Sequence, residues 1–324
     1  MKLFFMLYSN RSGSTLLSSI LNKIEGISVS IESTFVSLLI ESKIFESKPS
    51  VSKVMKIINK DPKLKEWDFS FNDLERSLLE LEELSLINVI NIILIQEFKL
   101  SDGIYIIKDP RLVNHLNEVI RFIPHVQFIQ VIRDPRAVIN SQISNKSSIG
   151  GFKMASGPYT ASRSWLKTQK LISDQLNSQH IVVKYEDLIN DEQQELKRIC
   201  DLINISPLSL KDKTDYLDKI PDGQKHLHKL IGQGMKSERI FAWRNELTRK
   251  EMELIYHGLK KYKTIIPYDI DIGDRELSNF HILFFVCIER ILHMMSFFQN
   301  IIFNSSKRSY FFYKIKRLVN KNEK

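Results

Sequence analysis

LFFMLYSNRSGSTLLSSIL, residues 3–21, begins as an unbroken apolar run, breaks at Ser9 to Gly13 and resumes with leucines at helical spacing. An apolar run with no polar alternation reads as a strand buried on both faces, as in a parallel sheet. The break and the helix after it direct backbone N–H groups and the positive end of a helix at one point, which suits an anion. Gly13 permits close backbone approach. Ser14 and Thr15 add hydroxyl donors, and Arg11 adds a charged, forked donor set. The loop of nucleotide triphosphatases has the pattern G-x-x-x-x-G-K-[ST]. Aligned on Gly13, its lysine position holds Ser14 and its first glycine position holds Tyr8, so the sequence does not describe a good ATP or GTP loop.

Three further runs extend the pattern: GIYIIKDPR (103–111), HVQFIQVIRDPR (125–136) and HIVVKYEDL (180–188). Segments of helical period lie between and after them, among them 71–100, 112–123, 137–145, 159–177 and 191–205. Apolar strands alternating with helices predict an α/β fold of three layers, a central parallel sheet flanked by helices. Two runs end alike, in a cation followed by Asp-Pro-Arg. Asp suits a helix N-cap and Pro the first helical position, so Asp109-Pro110 and Asp134-Pro135 read as the starts of helices. Lys108 and Arg133 then fall at carboxyl ends of parallel strands, where open α/β sheets bind ligands.

The 324 residues carry a net charge of +9, which favours anionic partners. No nucleic-acid-binding motif is present, and the positive charge is dispersed. Cys200 and Cys287 are far apart and lack clustered histidines, so no metal site is expected, and both read as buried thiols. The run from Phe280 to Phe303 is interrupted by Glu289, Arg290 and His293, which argues against a spanning helix. Without a recognisable secretory signal, the expected compartment is the cytoplasm.

Taken together, RSGSTLL (11–17), VIRDPRAVINS (131–141), VVKYEDL (182–188) and RIFAWRNELTRKEMELI (239–255) resemble the sulfotransferases that use 3′-phosphoadenosine-5′-phosphosulfate (PAPS). The resemblance runs in order over about 1–265 and implies a P-loop-like nucleotide-binding fold in a domain of 1–275, followed by an aromatic and basic tail, 276–324. It implies PAPS as sulfate donor and no metal. It assigns the 5′-phosphosulfate to Arg11, Ser12, Gly13, Ser14 and Thr15, and the 3′-phosphate to Arg133 and Ser141. Tyr185 is expected to approach the nucleotide, with Arg136, Trp243 and Arg244 as weaker contacts and Trp165 as packing.

For the chemistry, Arg11 and Lys108 are the candidate cations opposite the leaving phosphate. Glu32 follows Arg11 by 21 residues, the spacing of the catalytic Glu in the protein-tyrosine branch of the family. Its apolar neighbours Ile31 and Phe35 suggest a raised pKa, which a general base exploits. The cytosolic branch uses a histidine where this chain has Pro110, which leaves His115 as an alternative base; His226 and His228 are read as unassigned. The expected acceptor is a hydroxyl, with a carbohydrate or lipid-linked glycan preferred. The tail leaves membrane-surface contact and a homodimer open. The competing readings are a kinase-like P-loop enzyme and a non-catalytic anion- or membrane-binding protein on the same fold.

Overall fold

The computed structural model describes residues 1–145, 154–176, 180–205, 238–260, 267–270 and 277–303. The chain divides into two compact units, one of Met1–Asp134 with Thr168–Ile240, the other of Pro135–Lys167 with Phe241–Lys324.

The first unit is built on five parallel strands: β1 (Lys2–Tyr8), β2 (Ile27–Val29), β3 (Ile104–Lys108), β4 (Gln127–Ile132) and β5 (Ile181–Lys184). Their order is β2-β3-β1-β4-β5. From Leu3 to Tyr8 every residue of β1 is buried, as a central parallel strand requires. Register is set by pairs such as Met6 with Lys108 and Tyr8 with Val131. The expected α/β fold is present, flanked by helices of which α1 (Ser14–Leu21), α2 (Phe35–Glu41), α3 (Val51–Ile58), α4 (Phe71–Leu79), α5 (Leu86–Phe98) and α6 (Leu116–Phe122) come first in the chain. From β1 the chain runs to β2 and β3 on one side of that strand, then crosses to β4 and on to β5 on the other. The loops leaving β1 and β4 therefore flank the topological switch point, where doubly wound sheets hold ligands.

Next come α7 (Pro135–Ser144), α8 (Pro158–Leu176), α9 (Tyr185–Asn190), α10 (Glu192–Ile203), α11 (Glu238–Phe241), α12 (Trp243–Glu246), α13 (Arg249–Leu259) and α14 (Asn279–Phe303). In the second unit Leu254 of α13 packs with Ile282 and Val286 of α14. A Thr248–Glu251 capping box starts α13.

Three readings are corrected. The strand β2 lay unrecognised in GISVS because three residues give too short a pattern for periodicity. Asp109 does accept the Arg111 N–H at 2.9 Å, yet its other oxygen accepts the Ser37 N–H in the first turn of α2, also at 2.9 Å. Its carboxylate thus caps a helix distant in sequence, and burial raises its pKa to about 6 against those hydrogen bonds. Cys200 is buried as expected, whereas Cys287 is exposed, because it lies on the side of α14 opposite Ile282 and Val286.

Candidate active site

The loop between β1 and α1 turns through two residues of positive φ, Arg11 at 75° and Gly13 at 96°. Between them, Ser12 donates its N–H at 3.1 Å and its hydroxyl at 2.7 Å to the Ser9 carbonyl, so it shapes the loop. No side chain caps α1. Its amino end, with orphan N–H groups and a positive dipole, is suited to an anion.

Tyr185, at the first position of α9, closes over this loop. A Cβ added to Gly13 would lie 2.3 Å from Tyr185 Cδ2, so only glycine fits beneath the ring. The Arg133 guanidinium lies 4.1 Å from the centre of the same ring. Arg133 also donates to the Arg11 carbonyl at 3.4 Å and the Arg239 carbonyl at 3.0 Å. Its Nε is buried with no protein acceptor, and so is the Ser9 hydroxyl. Burial, followed by repulsion from Arg133, lowers the Arg11 pKa. The two guanidinium groups thus concentrate positive charge at this loop, which suits the anionic groups of a ligand.

A second cluster gathers around Glu32, which follows β2. Tyr8, at the end of β1, donates its hydroxyl to Glu32 Oε2 at 2.9 Å. Lys63 pairs with Oε1. Burial pushes the Glu32 carboxyl up, but Lys63, Lys108 and the hydrogen bonds from Lys63 and Tyr8 outweigh it and hold the pKa below the usual range. The raised value expected from its apolar neighbours is therefore not found. Lys108 ends β3, with Nζ 3.3 Å from Thr15 Oγ1 on α1 and 5.9 Å from the centre of the Tyr8 ring. Its burial lowers the ammonium to about 8, with Glu32 opposing the shift and Lys63 adding to it.

Sequence reading missed Lys63, because one lysine in NKDPKLKEW carries no pattern. Asp61 brings it into place. That buried carboxylate accepts the Lys63 N–H at 3.0 Å and the Thr34 N–H at 2.6 Å, tying the lysine's segment to the one that carries Glu32.

His115 sits 3.1 Å from Glu41, which also pairs with Arg111, so it belongs to a separate ionic group. Ser141 lies on α7, in the second unit. There Arg136 stacks on Trp243 at 4.0 Å, Arg244 lies over Phe241 at 4.5 Å, and Trp165 is buried. His226 and His228 lie outside the described residues. Among the described residues no group of His, Cys, Asp and Glu could hold a metal ion.

The carboxyl edge of the sheet thus joins an anion loop backed by two arginines to a carboxylate set beside two lysines. The profile described as "Sulfotransferase family" matches residues 4–208. The chain is 24% identical over 179 residues to a Caenorhabditis elegans protein named "Putative protein-tyrosine sulfotransferase", a match covering 53% of this chain and 68% of that one. A Caenorhabditis briggsae protein of the same name is 33% identical over 129 residues, covering 39% of this chain and 41% of its own. Among solved structures, the sulfotransferase domain from the curacin biosynthetic pathway superposes with a TM-score of 0.51 at 19% identity, over 80% of this chain and 97% of that domain.

Proposed function

The chain belongs to the sulfotransferase family, and from that premise we propose that it transfers the sulfuryl group of PAPS to a hydroxyl acceptor. One observation carries the reading. Lys108 touches Thr15 of the anion loop while lying close enough to Glu32 to shift its ionisation, so the anion end and the base end form one cluster.

The residues present fit the donor. The buried Nε of Arg133 and the Ser9 hydroxyl are unspent donors, and the amino end of α1 has no side-chain cap. Once bound, the donor supplies an activated sulfuryl group and a phosphate leaving group. Arg11 and Lys108 place positive charge where the leaving phosphate becomes more negative. Glu32, ionised, accepts the proton of the acceptor hydroxyl. Arg133 meets the 3′-phosphate, and Tyr185 positions Arg133 by stacking on it. Ser141 is assigned to the same phosphate by the resemblance alone.

Lys63 and Lys108 hold the Glu32 carboxyl below its ordinary value, and a phenol yields its proton to a carboxylate more readily than a sugar hydroxyl does. That chemistry, with the names of the two curated relatives, favours a tyrosine hydroxyl over the carbohydrate or lipid-linked glycan preferred from sequence. A kinase-like reading has no support of this kind, since Ser14 occupies the position of the loop lysine.

The test is incubation with radiolabelled PAPS and two acceptor pools, tyrosine peptides and oligosaccharides, alongside calorimetry with 3′,5′-bisphosphoadenosine. Label in the peptide pool supports the reading. Label in oligosaccharide alone corrects the acceptor. Absence of both transfer and nucleotide affinity in folded protein overturns the function.

A further inference from the structure

The helix α14 turns its apolar side outward. Phe280, Phe284, Ile291, Met294, Phe298 and Ile302 are all more than half exposed. They recur at three- and four-residue spacing and, with Leu283, Cys287 and Met295, fill an arc of about 120°. The stripe extends from 280 to 302, a length of about 33 Å at helical rise. No charged residue falls within that arc. In soluble monomers, continuous apolar patches of this size are rare and mark interaction sites.

The rotation of α14 is set by its opposite side. Ile282 and Val286 are buried, and so is Glu289. The Glu289 carboxylate accepts the Tyr159 N–H at 3.1 Å, the Thr160 N–H at 2.8 Å and the Thr160 hydroxyl at 2.9 Å. It thereby caps the amino end of α8. Gly157 makes room for it, since a Cβ there would lie 2.3 Å from the Glu289 carboxyl carbon. A carboxylate inside an apolar stretch therefore works as a lock that turns the stripe away from α8 and α13.

The sequence that follows indicates what covers the stripe. Residues 307–324, outside the described residues, hold seven Lys or Arg and one acidic residue, with Tyr310, Phe311, Phe312 and Tyr313 among them. Basic and aromatic residues that follow an apolar helix face in sequence match the chemistry of the headgroup region of an anionic bilayer. Among the described residues no helix is long and apolar enough to cross a membrane. We propose that the α14 stripe lies in the surface of an anionic lipid bilayer. This inference stands apart from sulfuryl transfer and keeps its force whichever acceptor is found.

The test is co-sedimentation of the full chain with phosphatidylcholine vesicles and with mixed phosphatidylcholine–phosphatidylserine vesicles. Wild type is expected to sediment with the mixed vesicles. The Phe284→Ser/Ile291→Ser/Phe298→Ser variant, changed at exposed positions only, should keep its melting profile and lose at least about tenfold in vesicle affinity. Lys314→Gln/Lys316→Gln/Arg317→Gln should remove the preference for phosphatidylserine. A polarity-sensitive fluorophore on Cys287 should shift to the blue when mixed vesicles are added. The proposal is overturned if wild type stays in the supernatant, or if the triple-serine variant sediments equally well. It is also overturned if the stripe instead holds a dimer that the serine variant dissociates and that ignores lipid.

Discussion

Lys63 grips the Glu32 carboxylate from 31 residues away in the chain. Replacing it removes the foremost of the influences that offset burial at Glu32. In Lys63→Met the carboxyl pKa should rise, and the acid limb of the kcat/KM profile should move to higher pH, with bisphosphoadenosine affinity little changed. Glu32→Gln should lower kcat by about 10²–10⁴ while leaving nucleotide binding intact. Equal kcat in Glu32→Gln and wild type would remove the base assignment.

Lys108 makes a prediction of opposite sign in pH. It is a cation below about 8, so nucleotide affinity should weaken as pH rises through that value. Above it, binding the anion should draw a proton onto the amine, which calorimetry detects as a heat that depends on buffer ionisation. Lys108→Met should bind more weakly and lose this dependence. Stability runs the other way. The buried charge costs stability below about 8, and the cost fades as pH climbs toward the unfolded lysine value of about 10.4.

Gly13→Ala faces two obstacles, the contact with Tyr185 and a φ of 96°. It should destabilise the protein by about 1–3 kcal/mol and abolish measurable bisphosphoadenosine binding. Adding Tyr185→Ala should recover part of the stability, because it removes the clash but not the backbone strain. A thermal melt of the single and double variants checks this.

Glu289→Ala leaves two backbone N–H groups of α8 without their acceptor. A loss of about 1–3 kcal/mol is expected in a denaturant melt. Sulfuryl transfer per folded molecule should be unchanged if Glu289 acts only as a lock.

Thiol labelling checks the burial of the two cysteines. Cys287 should react promptly in the native state and Cys200, which is buried, only on unfolding. Burial also raises the Cys200 pKa, which slows its reaction further.

Much of this protein could be read along the chain. The strand β1 announced itself because a strand buried on both faces reads as an unbroken apolar run, and β3, β4 and β5 did so through shorter runs of Ile, Val and Phe. The anion loop was legible because Arg11, Gly13 and Thr15 are neighbours in sequence, and so was Arg133 at a strand end. Local pattern does not carry tertiary partnership. Lys63 meets Glu32 only because Asp61 ties two distant segments, and that pairing reversed the expected pKa shift. Asp109 caps α2 rather than only its own turn, and Glu289 caps α8 from another helix. Folding alone decided which side of α14 faces out, since periodicity defines an apolar face without saying whether protein or solvent lies against it. Sequence determined the elements and the anion chemistry, because both arise from near neighbours. The tertiary structure decided ionisation, capping and exposure, because each depends on groups that only folding brings together.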